Sequence, residues 1–558
     1  MRNIDLFRDY ENGKVATVDE YRASHPGDTC PFDGLGKKET EGIPVALTRD
    51  GKAKLQVTFI PDTHLLAIGA TRSGKTTGYV IPTINVLLKK KNKPSLVISD
   101  PKQELYRCSA KKFEKAGYRV LMLDFTDYSH SDCWNPLTRY YRLYQKYLKV
   151  EQEAHRTADA DKKIRFRFRG NAYESPGEML RAITEVKDGY MDEVEKGLTA
   201  LSAAVIPVQS TKDPFWEESA RDLLLAFFHA MLEDSEKGLI TEETFSFDTV
   251  LRIFDSFTDS AESYDGGYFS SRDISVSKSL QLARKCILEQ AANTRRCISS
   301  EFAVKINKFR DTAVRRITCT NTFEMRDLDD GAPTVIFLSY KDEESLHYDV
   351  ISMFLSNLYT ELIAVARSKG TRLSRPFYFL LDEFGNLPKF NDFDKVISAC
   401  AGRNIWFLLI LQSYAQLNGV YGKETAEIIK DNLNTHVFFG TNNPETKREF
   451  SEECGKKTVL SPTSALNGSG ETIERYEKDT VALVPVSALT RLKPGECIVT
   501  RMREDVLWSG FERSYTCPEF ADDGADPKAR PPVIRFSDPR YVYEVPRKEI
   551  RRRPRPLD

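Results

Sequence analysis

Runs of consecutive apolar residues, rich in β-branched and aromatic types, fall at 95–99 (SLVIS), 119–125 (RVLMLDF), 334–340 (TVIFLSY), 377–381 (FYFLL), 405–411 (IWFLLIL) and 436–440 (HVFFG). A strand apolar on both faces belongs in a sheet covered on both sides, so these runs predict a parallel sheet. Between them lie helical patterns such as 348–366, where apolar residues recur at helical spacing. The alternation is that of an α/β fold. Residues 139–330 break it, with few strand-like runs and several amphipathic ones. In 217–232 (EESARDLLLAFFHAML) the apolar residues share one helical face, and the segment reads as an all-helical insertion. Within it, 151–169 and 256–272 are polar enough to be loops or solvated helices. Ahead of the first apolar strand, Arg49-Asp50-Gly51 sits between two alternating runs in 43–60, which predicts a hairpin.

The chain has 558 residues, and at about 150 residues per domain this implies about three or four units. Hydrophobic residues make up 41% and charged residues 29%, which excludes collagen-like, disulfide-framework and wholly disordered classes. A net charge of −1 gives no overall positive field, so any polyanion site is local. The 10 cysteines are scattered singly with no C-x-x-C pair, as expected of reduced thiols in a cytosol, and a structural zinc site is not expected. The most apolar stretches, 351–366 and 405–411, are too short or too polar for a membrane span of about 20 residues. The start, MRNIDLFRDYENGK, is unlike a signal peptide. The expectation is a cytoplasmic chain, at most peripheral at the cytoplasmic face of the membrane. Residues 521–558 carry repeated prolines, and 547–558 hold a local excess of basic residues, which predicts a loosely ordered tail.

The most informative stretch is Gly69-Ala70-Thr71-Arg72-Ser73-Gly74-Lys75-Thr76-Thr77, a G-x-x-x-x-G-K-[ST] loop between an apolar strand and a helix-like run. Gly69 and Gly74 let backbone N–H groups converge on phosphate oxygens, Lys75 reaches the β/γ-phosphates, and the Thr76 hydroxyl is a Mg2+ ligand. Pro82 predicts a kink about two turns into the following helix. ATP hydrolysis needs a second acidic group for Mg2+ and one to orient water; Asp382 and Glu383, ending the run 377–381, supply both. Gln412, ending the run 405–411, is read either as a γ-phosphate sensor or, with Ser413, as part of a helix N-cap. Arg403 is read either as an arginine finger offered to a neighbour's γ-phosphate or as a surface or salt-bridge residue.

Together these motifs resemble the type IV secretion coupling proteins of the TraG/VirD kind, conjugation ATPases related to the FtsK and HerA translocases. Asp100-Pro101-Lys102-Gln103-Glu104-Leu105 is similar to the family's D-P-K-G-E-L, with Gln103 where Gly is usual. Trp134-Asn135-Pro136-Leu137 is similar to its Y-N-P-L, and Asp213-Pro214-Phe215-Trp216-Glu217, Leu381 to Pro388 and Gln412-Ser413 follow in the family's order. The resemblance spans about 40–505, and Thr71-Arg72-Ser73 departs from the commoner Thr-Gly-Ser.

It implies a RecA-like P-loop domain with a mainly parallel sheet, interrupted by an all-α domain. The expected boundaries are an N-terminal lead with a hairpin over 1–60, nucleotide-binding segments over 61–138 and 331–515, the insertion over 139–330 and a basic tail over 516–558. It also implies ATP and Mg2+, a homo-hexameric ring, and transfer of relaxase-bound single-stranded DNA or a secreted protein to a type IV secretion channel. Family members usually have N-terminal membrane helices; here the expectation is a membrane-anchoring partner or a chain lacking its natural beginning. The competing expectations are an FtsK-like double-strand translocase and a nucleotide-stabilised docking scaffold. Lys389 and Lys395 are candidate DNA contacts, and Arg551-Arg552-Arg553 a candidate contact for DNA or anionic lipid, each against the alternative of ordinary solvated charge.

Overall fold

The computed structural model describes residues 13–37, 42–158, 164–208, 213–259, 267–269, 271–341, 347–387, 389–390, 392–466, 472–530 and 542–543. Arg551–Arg553 and most of the basic tail lie outside them. The chain forms two compact units rather than the three or four implied by length: one from 1–124, 324–348 and 358–531, the other from 125–323, 349–357 and 532–558.

The first unit is built on a ten-stranded sheet. Its strands are β1 (Val15–Thr17), β2 (Leu65–Gly69), β3 (Ser95–Ser99), β4 (Arg119–Asp124), β5 (Thr334–Ser339), β6 (Phe377–Leu381), β7 (Ile405–Leu411), β8 (Thr435–Gly440), β9 (Glu496–Arg501) and β10 (Val506–Gly510). Their order across the sheet is β1-β10-β9-β8-β2-β7-β6-β3-β5-β4. From β8 to β4 every pairing is parallel, and β9 alone runs antiparallel to its neighbours. β2, β3, β6 and β7 are buried at every position, as continuous apolar runs in a doubly covered sheet require. The register pairs Leu381 with both Ser99 and Leu409, and Leu411 with Ile68. The carboxyl ends of β3, β6, β7 and β2 therefore emerge side by side, where open α/β sheets build their sites.

The strands Ile43–Arg49 and Leu55–Ile60 form a hairpin whose connection is held by Asp50, which accepts from the backbone N–H of Lys52 and Lys54 at 2.9 Å each. Pro82 falls where the helical geometry changes. It sits in the first turn of Ile81–Leu87, and the preceding turn, Thr76–Val80, widens so that the Ile81 N–H donates to the Thr76 carbonyl. The segment beyond 515, expected as a basic tail that is loosely ordered from 521, packs on this unit as far as 530: Cys517, Phe520 and Ala525 are buried, and Phe520 meets Phe32 edge-on at 5.3 Å. A long hairpin, Lys456–Leu466 with Thr472–Ala482, was not foreseen.

The second unit is not all-helical. Ala154–Ala158, Ile164–Phe168 and Asn171–Tyr173 form a three-stranded antiparallel sheet where loops or solvated helices were expected. Phe168 is buried with Val150 and Ile183. The helices Pro176–Val205, Phe215–Glu236, Phe247–Asp259 and Ala292–Ile306 make up most of the rest, around an aromatic core in which Phe247 stacks on Phe309 at 3.8 Å. Trp134 and Asn135 are buried here, the Asn135 amide donating to the Phe245 carbonyl at 2.9 Å, so the W-N-P-L motif is a packing device. The helix Tyr348–Ser368, of which 349–357 belong to this unit and 358 onward to the first, is longer than expected, and its length and composition would allow a membrane span. Val350, Ile351, Phe354, Leu355, Leu358, Leu362 and Ala366 are buried, which is the position of a core helix.

Candidate functional site

The loop that follows β2 is shaped by its glycines. A Cβ on Gly69 would lie 2.5 Å from Ser73 Oγ and 3.3 Å from Lys75 Cβ, so the turn closes only over a bare Cα. Gly74 has φ +86, which L side chains rarely adopt. The Ala70 N–H donates to the Gly440 carbonyl, tying the start of the loop to the end of β8. Lys75 is buried, Thr71 and Arg72 are exposed, and the buried Ser73 Oγ has no hydrogen-bond partner among the described residues. A cradle of N–H donors with a spare hydroxyl and a buried ammonium is complementary to a polyphosphate.

Opposite it stand the acids. β6 and β2 are separated by β7 alone, placing them about 10 Å apart, and Thr76 spans the gap by donating its hydroxyl to Asp382 Oδ2 at 3.3 Å. Burial pushes the Asp382 carboxyl up to about 6, against the pull of Lys75 and with a further push from Glu383. Glu383 occupies a left-handed conformation, φ +55, its N–H donating to Asp382 Oδ1 and its Oε2 accepting from Asn386 Nδ2 at 3.2 Å. The hydroxyl of Thr76 and the carboxyl of Asp382, a hard-oxygen pair with a raised proton affinity, fit a divalent cation such as Mg2+.

Sequence reasoning gave no role to one further group, Asp100, and did not find another, Arg513. Asp100, at the end of β3, is buried and accepts from the N–H groups of Leu105 and Tyr106. Burial pushes its carboxyl up to about 7, the two hydrogen bonds lower it, and Asp382 raises it. The motif similar to D-P-K-G-E-L thus begins with a second carboxyl coupled to the first. Arg513, 440 positions from Ser73, lays its guanidinium against the phosphate loop, donating to the Ser73 carbonyl at 3.2 Å. No local motif marks it.

The family described as Type IV secretory system Conjugative DNA transfer matches residues 22–498. The chain belongs to this family. It is 23% identical to Protein VirD4 of Rhizobium radiobacter over 402 residues, 71% of this chain and 48% of that protein. It is 23% identical to the Coupling protein TraD of Escherichia coli K12 over 303 residues, 53% of this chain and 39% of that one. The Conjugal transfer protein TraG of Escherichia coli is 23% identical over 417 residues, 73% of this chain and 57% of that one. The chain thus spans about half the length of the curated relatives it matches. Among solved structures, the plasmid coupling protein TrwB in complex with ADP and Mg2+ superposes with a TM-score of 0.51 at 15% identity, covering 88% of this chain and 94% of that one. TrwB with the ATP analogue ADPNP gives 0.50 at 14%, covering 92% and 96%. At such identities the likeness shows the fold alone, an α/β fold with a large, mostly parallel central sheet consistent with the RecA-like class.

The two departures that replace a glycine of the family's motifs fall on left-handed backbone. Arg72 has φ +67 and Gln103 φ +57, at the two positions where the family's glycine is usual. Gln103 is anchored there, its amide donating to Asp124 Oδ2 at 2.8 Å and Ser339 Oγ at 2.9 Å. Gln412 stands at the end of β7, between the loop and the acids; its N–H donates to Gln416 Oε1 and its carbonyl accepts from Thr441. Ser413 makes no side-chain cap bond. Arg403 is not brought to this site. It precedes β7, at the amino ends of the strands, about 20 Å away by strand length, and its guanidinium donates to the Ala399 carbonyl. Lys395 is exposed and paired with Asp392 at 2.6 Å, and Lys389 is exposed.

Proposed function

We propose that this chain is an ATP-hydrolysing coupling protein that recruits relaxase-bound DNA or secreted protein and drives it to a type IV secretion channel. The observation that carries the reading is Glu383, held by Asn386 in a left-handed turn beside Asp382 and across one strand from the phosphate loop. Membership of the conjugative-transfer family supplies the context. A scaffold that only binds nucleotide has no use for a water-activating carboxylate there.

In this reading Gly69 to Thr77 cradle the ATP phosphates, Lys75 neutralises their charge, and Thr76 with Asp382 holds Mg2+. The ion supplies charge neutralisation at the β- and γ-oxygens. Glu383 accepts the proton of the attacking water, and Gln412 senses the γ-phosphate from between the two sites. Arg403, remote from its own loop, acts only if a ring of copies offers it to a neighbour. The family description, conjugative DNA transfer, supports DNA as cargo; that the DNA is single-stranded, that copies form a homo-hexameric ring and that a partner anchors it at the membrane rest on the sequence resemblance.

Glu383→Gln is the direct test. It keeps the side chain's shape but cannot take a proton, so nucleotide affinity is retained while turnover falls roughly 100-fold or more. Equal turnover by the variant and the wild type contradicts the assignment.

A further inference from the structure

Arg513 lies in the stretch that leaves β10, and its position is fixed by packing. Phe511 is buried and meets Tyr79, in the turn that follows the phosphate loop, edge-on at 5.1 Å. The Phe511 N–H donates to the Gly495 carbonyl and that of Glu512 to the Leu47 carbonyl. From this anchored backbone the Arg513 guanidinium reaches Ser73 O at 3.2 Å and Thr77 Oγ1 at 3.4 Å. A Cβ on Gly74 would lie 1.7 Å from Arg513 Nη1, and one on Gly78 3.7 Å from its Cδ. The bare face of Gly74 is therefore occupied by this arginine.

The carbonyl of Ser73 and the N–H of Gly74 belong to one peptide plane and point in opposite directions. Drawing the carbonyl toward Arg513 turns the Gly74 N–H the other way, into the cradle. The cation itself is not neutralised: among the described residues no carboxylate forms an ion pair with Arg513, and its buried Nε has no hydrogen-bond partner. A half-buried positive charge left without a counter-charge beside a phosphate loop favours an anionic ligand.

We propose that Arg513 is a positioning residue that holds the phosphate loop in its nucleotide-binding form from behind, and that its unpaired charge adds to the affinity for the polyphosphate. This rests on the nucleotide-binding reading of the same site. Preorganisation of this kind acts on ground state and transition state alike, so it raises affinity without changing the chemical step. The segment after β10 is thereby part of the nucleotide site, although it lies beyond the residues matched by the family.

The experiment is titration of the full chain with a fluorescent ADP, with and without Mg2+, together with KM and kcat for ATP. The variants are Arg513→Ala, Arg513→Gln and Arg513→Lys, each checked for a native thermal transition. Loss of one charge-assisted anchor predicts a roughly tenfold to thirtyfold weaker Kd for ADP in the Ala variant, in EDTA as well as in Mg2+. KM rises by a similar factor with kcat within about twofold. Arg513→Lys keeps the charge without the planar fork and recovers part of the loss, whereas Arg513→Gln, neutral but still a donor, recovers less. Guanidinium chloride at low millimolar concentration restores part of the binding to the Ala variant. Unchanged Kd in the Ala variant, or a fall in kcat with KM unchanged, overturns the proposal. A wild-type chain that binds no nucleotide overturns instead the reading on which it rests.

Discussion

The Asp382 carboxyl is buried with Glu383 as its chain neighbour, and burial pushes its proton affinity up to about 6. Its folded-state value thus lies above the value near 4 of an unfolded carboxyl. Between about pH 4 and 6 the folded chain holds more protons than the unfolded one, so the stability of the metal-free protein falls as pH rises through that window. Replacing the charge with a neutral amide removes this penalty: Asp382→Asn stabilises the metal-free chain at pH 8 by about 1–2 kcal/mol. It also abolishes Mg2+-dependent hydrolysis. Urea denaturation in EDTA at pH 5 and pH 8 checks the first statement, which fails if the variant is less stable at pH 8. Arg72 presents a second, smaller tension. A non-glycine residue at φ +67 is strained, so Arg72→Gly raises stability by about 0.5–1 kcal/mol in the same assay.

Whether an element is legible in the sequence depends on where its faces point. β2, β3, β6 and β7 are apolar at nearly every position because helices cover both sides of the sheet, and their residues therefore stand out without any help from periodicity. β1 is three residues long and leaves no pattern. β9 and β10 lie toward the sheet's edge and carry partly exposed positions, so their signal is diluted. The hairpin Lys456–Ala482 mixes apolar and polar residues in its cross-strand pairs, such as Val459 with Asp479 and Leu460 with Lys478, without a clean alternation, and the sheet over 154–173 includes the alternation Ile164-Arg165-Phe166-Arg167-Phe168, hidden by the surrounding charge. Of the site, the loop and the acidic pair are legible because their chemistry requires contiguous residues. Asp100 could be placed in a motif but not given a role, and Arg513 reaches the site only through tertiary packing.

Element packing also sets a local stability within the second unit. There the segment after 267 is clasped to the helix Phe215–Glu236 by Arg272, whose buried guanidinium reaches Glu233 at 3.0 Å and Asp234 at 2.8 Å. It also lies over the Tyr268 ring at 4.4 Å. Removing the cation leaves two acids without their counter-charge, although Ser277, Ser279 and Tyr268 still donate to them, so Arg272→Met destabilises this unit by about 2–4 kcal/mol. Hydrogen exchange should show the loss in helix Phe215–Glu236, with β2 and β6 of the other unit unchanged. Equal protection in variant and wild type contradicts it.

At the scale of the whole molecule, the two units divide the work by composition. One carries the phosphate loop, both acids and Arg513 on a single sheet; the other contributes the helices and small sheet that interrupt it in sequence. The chain's net charge of −1 leaves DNA attraction to local patches, so DNA binding by the proposed motor is strongly salt-dependent only to the extent that such patches line its path. The most direct test of the coupling-motor account is ATP hydrolysis by the purified chain with no DNA, single-stranded DNA or double-stranded DNA, with Lys75→Ala as the control. The account predicts Mg2+-dependent hydrolysis that single-stranded DNA stimulates most and that the Lys75→Ala variant loses roughly 100-fold or more. Nucleotide binding with no hydrolysis under any of these conditions would contradict it and leave a docking scaffold.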